Sequence, residues 1–147
     1  MKRILSITLI ILAVLLCFSG CVREYEPNDE IHTTCEGVFI TVESIDESGK
    51  FPILEVVWHN ETEKTVTFGL WYTIEYLNGG EWKNIQIADF AVPEIALMIE
   101  PDNTARESYT TKHFYMLRKG EYRIRMEFYI QDEEPVSGST WASFSIS

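Results

Sequence analysis

From Gly37 onward, apolar residues recur at every second position in short runs. Val38, Ile40 and Val42 alternate with Phe39, Thr41 and Glu43, and Leu54, Val56 and Trp58 with Glu55, Val57 and His59. A period of two belongs to a strand with one face turned to a core. The clearest case comes late, where Tyr122, Ile124, Met126, Phe128 and Ile130 alternate with Arg123, Arg125, Glu127 and Tyr129. Ala142, Phe144 and Ile146 mark the core side of a last strand over 140–146, and extended segments are predicted at 65–68, 71–77, 81–85, 96–99 and 105–110. Asn78-Gly79-Gly80 joins two of these as a tight hairpin, because Asn and Gly tolerate the positive φ such turns need. Further turns fall at 60–64, at Pro101-Asp102-Asn103 and at 117–120, and the acidic 132–135 loop with Ser137-Gly138-Ser139 reads as flexible. Between Gln86 and Met98 alanines would permit a helix, but Pro93 interrupts it and a loop is expected. About seven to nine short strands joined by turns predict an all-β fold, an antiparallel β-sandwich.

The first twenty residues obey a different pattern. Lys2 and Arg3 precede a run from Ile4 to Phe18 broken only by Ser6 and Thr8. A membrane-spanning helix needs ~20 apolar residues, so the run is short for a permanent span and has the layout of an export signal. It ends in Phe18-Ser19-Gly20-Cys21, which resembles the lipobox of bacterial lipoproteins, with Phe18 where that family most often has Leu. The resemblance implies that Cys21 receives a diacylglyceryl group through a thioether and becomes the mature N-terminus after cleavage before it. It divides the chain into a signal peptide (1–20), a lipidated cysteine with a flexible tether (21–36) and a β-sandwich domain (37–147). It also implies a protein held by lipid on the extracytoplasmic face of a bacterial cell membrane.

Charge and cysteine content change this picture in two ways. The chain has 12 Lys+Arg against 23 Asp+Glu, a net charge of -11, too acidic for a surface that gathers phosphates, so nucleic acid is not an expected partner. Loss of residues 1–20 removes Lys2 and Arg3 and no acid, leaving 10 basic against 23 acidic residues, a net of -13. From that number the domain is expected to stand off anionic headgroups and hold on by its lipid alone, on a tether (22–35) reaching at most ~50 Å. Of three cysteines, Cys17 leaves with the signal, Cys21 is alkylated, and Cys35 is left as a small residue entering the first strand. No metal site and no cofactor is expected. His32, His59 and His113 are far apart in sequence, and Glu24, Glu26, Asp29 and Glu30 lack the spacing and turn glycine of a calcium loop.

A second resemblance covers the domain. Trp58-His59-Asn60-Glu61-Thr62, Tyr72-Thr73-Ile74-Glu75-Tyr76 with Gly80-Glu81-Trp82, Ile99-Glu100-Pro101 and Gly120-Glu121-Tyr122-Arg123-Ile124 together resemble a family of bacterial immunoglobulin-like domains found on exported proteins. Where that family usually has Pro-Gly, this chain has Pro101-Asp102. The resemblance implies an immunoglobulin-like sandwich whose shared motifs are structural. Tyr122, just after Gly120, is placed like the corner tyrosine that ties a sandwich crossover to the backbone. Trp58 and Trp82 are expected between the sheets.

Candidate binding residues follow from the same pattern. Trp71 and Tyr72 are adjacent, so one of them faces outward, and an outward aromatic near Tyr76 or Tyr129 is the first place to look for a binding patch. No nucleophile elbow, Cys-His pair, H-E-x-x-H or phosphate loop is present. The expected function is therefore non-enzymatic: a surface lipoprotein with a binding domain for a protein or cell-wall ligand. The domain also resembles a bacterial proteinase-inhibitor domain of related sandwich shape. That alternative implies a protective lipoprotein presenting the loop Val92-Pro93-Glu94 to an exogenous protease.

Overall fold

Among the described residues ten strands pair: β1 (Arg23–Glu24), β2 (His32–Thr33), β3 (Val38–Asp46), β4 (Ile53–Asn60), β5 (Val66–Asn78), β6 (Glu81–Asn84), β7 (Ala96–Ile99), β8 (Asn103–Thr110), β9 (Gly120–Ile130) and β10 (Val136–Ile146). The computed structural model describes residues 23–24, 32–85, 87, 91 and 93–147. The export signal, Cys21 and Val92 lie outside the described residues. Every strand pairing is antiparallel, giving one sheet in the order β1-β3-β4-β8 and a second, six-stranded sheet in the order β2-β10-β9-β5-β6, with β7 beside the first half of β5. The expected all-β sandwich is what forms.

The two sheets meet through the rows that the alternation marked. Leu54, Val56 and Trp58 from β4 and Ile124, Met126 and Phe128 from β9 are all buried. Trp58 stacks on Phe68 at 4.3 Å between ring centres and meets Phe128 edge-on at 6.3 Å. Such aromatic contacts add to the large area each ring removes from water. Tyr122 behaves as its position predicts: its hydroxyl donates to the Arg118 carbonyl at 2.7 Å and accepts from the Arg118 amide at 3.1 Å. That closes the corner between the 114–119 loop and β9.

Four expectations change. The 65–68 and 71–77 segments are one strand with a bulge, since Phe68 opposes Phe128 and Tyr72 opposes Met126, leaving Gly69, Leu70 and Trp71 opposite Glu127 alone. The segment taken as flexible, Ser137-Gly138-Ser139, lies inside β10. Its glycine is there for space: a Cβ on Gly138 would stand 2.4 Å from the Phe128 ring and 3.0 Å from the Cys35 sulfur. Two pieces of the 21–36 tether are paired, Arg23 and Glu24 against Ile45 and Ser44, and His32 and Thr33 against Trp141 and Thr140. Finally, Trp82 is not between the sheets. Its partner across the hairpin is the exposed Leu77, which puts it on the outer face.

The ends of the sandwich are tied differently. At one end Asn60 is fully buried and its side-chain amide donates to the carbonyls of Lys64, Ile99 and Glu100 at 2.8, 3.0 and 3.1 Å. Its oxygen accepts from the Thr62 amide and hydroxyl at 3.0 and 2.7 Å. One side chain thus fastens two turns. At the other end, the Thr111 amide donates to the Pro52 carbonyl at 2.9 Å and the hairpin turns through Gly79 (φ 63°) and Gly80 (φ 85°).

Candidate functional site

The outward rows of β10, β9, β5 and β6 make a broad face on the six-stranded sheet. Strand register sets its rows. His32, Trp141, Arg125 and Thr73 follow one another across the strands, and Ser143, Arg123, Glu75 and Asn84 form the next row. Three of the four tryptophans, Trp71, Trp82 and Trp141, belong to this face; the fourth, Trp58, is in the core.

The face has an ordered half and an open half. In the ordered half Arg123 pairs with Glu75, whose side chain is buried although it points away from the core. The guanidinium lies over the Trp82 ring at 4.7 Å and the Trp141 ring at 5.4 Å, and Trp141 in turn stacks with His32 at 5.5 Å. A planar cation between two indoles is held by cation–π attraction as well as by its carboxylate. These groups fix one another and present flat ring surface.

The open half surrounds Arg125 and Glu127. One shallow depression of about 200 Å³ is lined by Trp71, Thr73, Asn84, Arg125 and Glu127. A second of about 320 Å³, lined by Thr34, Tyr129, Ser137 and Ser139, shares Arg125 and Glu127 with it. Arg125 donates to the Ser139 hydroxyl at 3.3 Å. Trp71 is 48% exposed on one side and Tyr129 53% exposed on the other. An aromatic at each margin with a cation, a carboxylate, an amide and hydroxyls between them suits an extended ligand carrying both apolar faces and hydroxyl or charged groups.

The predicted pair Trp71 and Tyr72 divides as the bulge dictates. Trp71 faces outward on the open half. Tyr72 is a core residue: it is buried, packs against Tyr109 at 4.9 Å and Phe114 at 5.2 Å, and donates its hydroxyl to the Thr110 carbonyl. Burial pushes its phenol up to about 12 and that of Tyr109 higher still, so neither ionises at neutral pH. Buried in this way, Tyr72 does not reach a ligand. Of the proposed inhibitory loop, Pro93 and Glu94 are exposed, in the segment that leads into β7 beside the Gly69–Trp71 bulge of β5. The Ile95 amide donates to the Pro93 carbonyl at 2.8 Å, which turns the chain there. Val92 lies outside the described residues. Arg125, Glu127 and Asn84 were not singled out as a site in the sequence, where nothing sets them apart from other solvated residues, whereas Tyr129 was named as a neighbour beside which an outward aromatic would mark a binding patch.

On the opposite sheet, His59 stacks on Phe39 at 4.5 Å and lies 3.0 Å from the Thr41 hydroxyl, and burial lowers its pKa against the opposing pull of Glu61. Among the described residues no group of three His, Cys, Asp or Glu is arranged to hold a metal ion. Cys35 is a half-buried free thiol beside Gly138.

A family model described as a bacterial Ig-like domain matches residues 34–140. No curated protein matches the chain in sequence.

Proposed function

The chain belongs to the bacterial Ig-like domain family, and from that premise we propose a non-enzymatic, lipid-anchored surface lipoprotein whose outer sheet face binds a cell-wall glycan. The observation that carries the reading is the allocation of aromatics. A stable sandwich of this size needs its large rings inside, yet three of four tryptophans and the half-exposed Tyr129 are outside on one face. Sugar rings have apolar faces that stack on indole and phenol, and their hydroxyls accept hydrogen bonds from groups such as Arg125 and Asn84 and donate to a carboxylate such as Glu127. The two depressions on this face are shallow, which suits a chain laid across a surface rather than a small molecule enclosed by it.

Anchoring rests on the Phe18-Ser19-Gly20-Cys21 motif and the apolar run before it. A Cys21→Ala variant is expected to remain uncleaved and without lipid, and an intact mass identical to that of the wild-type mature protein would contradict the anchor. Binding is tested by co-sedimentation of the detergent-solubilised chain with purified cell-wall polysaccharide. Wild type is expected in the pellet and a Trp71→Ala/Tyr129→Ala variant in the supernatant. Equal sedimentation of the two would remove this face from the account.

A further inference from the structure

The acidity of the chain is not spread evenly. At the Asn60 end, the 60–65 turn carries Glu61 and Glu63, the 100–103 turn Glu100 and Asp102, and the 131–135 loop Asp132, Glu133 and Glu134, against Lys64 alone. The opposite end contains the thirteen residues Ser108–Gly120, which hold no Asp or Glu in a chain that has 23 of them. Here Lys112, Arg118 and Lys119 are all exposed, and Lys50 in the turn after β3 and Lys83 in β6 are exposed at the same end. Of the acids at this end, Glu47 is tied to the Ser147 amide and hydroxyl, Asp46 to the Ser48 amide and Glu55 to the Ser108 hydroxyl. Glu81 and Glu121 lie on the strands behind it.

Apolar side chains crown the basic loop. Tyr115 is 62% and Met116 66% exposed, between the buried anchors Phe114 and Leu117. Tyr115 sits at φ 52°, a left-handed conformation that a bulky residue adopts only where its surroundings hold it. The loop thus holds two apolar side chains out into solvent among three cations.

The direction of β1 says what faces this end. Arg23 opposes Ile45 and Glu24 opposes Ser44, so the chain enters β1 from the side where β3 ends, which is the basic end. Cys21 is two residues before Arg23, within at most ~7 Å of extended chain.

We propose that the end bearing Lys112, Tyr115, Met116, Arg118 and Lys119 rests on the anionic surface of the bilayer, with Tyr115 and Met116 at the headgroup level and the acidic end pointing away. This deepens the lipoprotein reading and rests on it for the position of the anchor. It also revises the expectation drawn from the net charge of -13. Interactions with a charged surface are felt within about 8 Å at physiological salt, so the end nearest the lipid decides, not the sum over the chain. The domain stands upright on its lipid and displays the Trp71 face sideways.

The test uses the full chain purified from membranes and returned to vesicles of phosphatidylcholine alone or of phosphatidylcholine with phosphatidylglycerol, followed by amide hydrogen exchange. Protection over 112–119 is expected with the anionic vesicles only, lost in high salt, with 60–65 exchanging freely throughout. Each of Lys112→Glu, Arg118→Glu and Lys119→Glu is expected to weaken the association about fivefold, whereas Lys64→Glu leaves it unchanged. Equal exchange over 112–119 with both vesicle types overturns the proposal, as does protection at 60–65 instead, or protection that needs no vesicles and so reports a protein partner. The intact mass of the same sample reports the lipid on Cys21 separately. An unlipidated chain that still shows charge-dependent protection sinks the anchor and keeps the docking end.

Discussion

The two faces of β9 come from the same eleven residues and have opposite physics. Inward, Tyr122, Ile124, Met126 and Phe128 lie in the core, where Phe128 meets Trp58 of the other sheet and Tyr122 stacks on Phe144 of its own. Outward, Arg123, Arg125, Glu127 and Tyr129 carry charge and hydroxyls to a surface bordered by tryptophan. The difference teaches that on this strand parity separates stability from recognition, so substitutions on one face are expected to lower the melting temperature and on the other to lower affinity.

The largest effect that sharpens this contrast is Phe128→Ala, which removes a fully buried ring and is expected to destabilise by about 3–5 kcal/mol in denaturant unfolding. Next comes the one place where parity should mislead. Glu75 faces outward but is buried and paired with Arg123, whose guanidinium lies over Trp82 and Trp141, so Glu75→Gln, which leaves Arg123 without its charge partner, is expected to lose about 2 kcal/mol. A loss near zero would show that the ordered half of the face is ordinary surface. Gly138→Ala tests the inner face from the small side. Its methyl would intrude on Phe128, with an expected loss of about 1–3 kcal/mol, while Ser137→Ala beside it is expected to change little. Tyr122→Phe keeps the ring and deletes the corner hydrogen bonds to Arg118, which predicts about 1 kcal/mol.

Much of the inner face was legible in the residues. The alternations of 38–42, 54–58 and 122–130 needed only that one row be apolar, and Tyr122 after Gly120 announced its corner. The outer face was not legible, for a physical reason. Trp82 sits in a four-residue strand, too short for a period to say which row faces in, and its place follows from pairing with Leu77. Trp71 and Tyr72 were separable only once the bulge opposite Glu127 was known. Ser137-Gly138-Ser139 has a loop composition, yet its glycine answers to the Phe128 ring across the ladder. The polarity of the two ends is a property of topology, because the acidic turns and the cationic loop are scattered along the chain and are sorted only by the fold. The lipobox and export signal are the reverse case, read from sequence and lying outside the described residues.

The smallest expected stability change belongs to the residue with the largest expected functional one. Trp71→Ala should shift stability by less than about 0.5 kcal/mol, since its ring stands half in solvent at a bulge. The most direct test of the binding face is therefore a titration of wild type and Trp71→Ala with soluble glycan fragments released from the cell wall, with melting curves recorded on the same samples. The account predicts at least about a tenfold weaker Kd for the variant, equivalent to ~1.4 kcal/mol, at an unchanged melting temperature. Equal Kd values for the two proteins would contradict it.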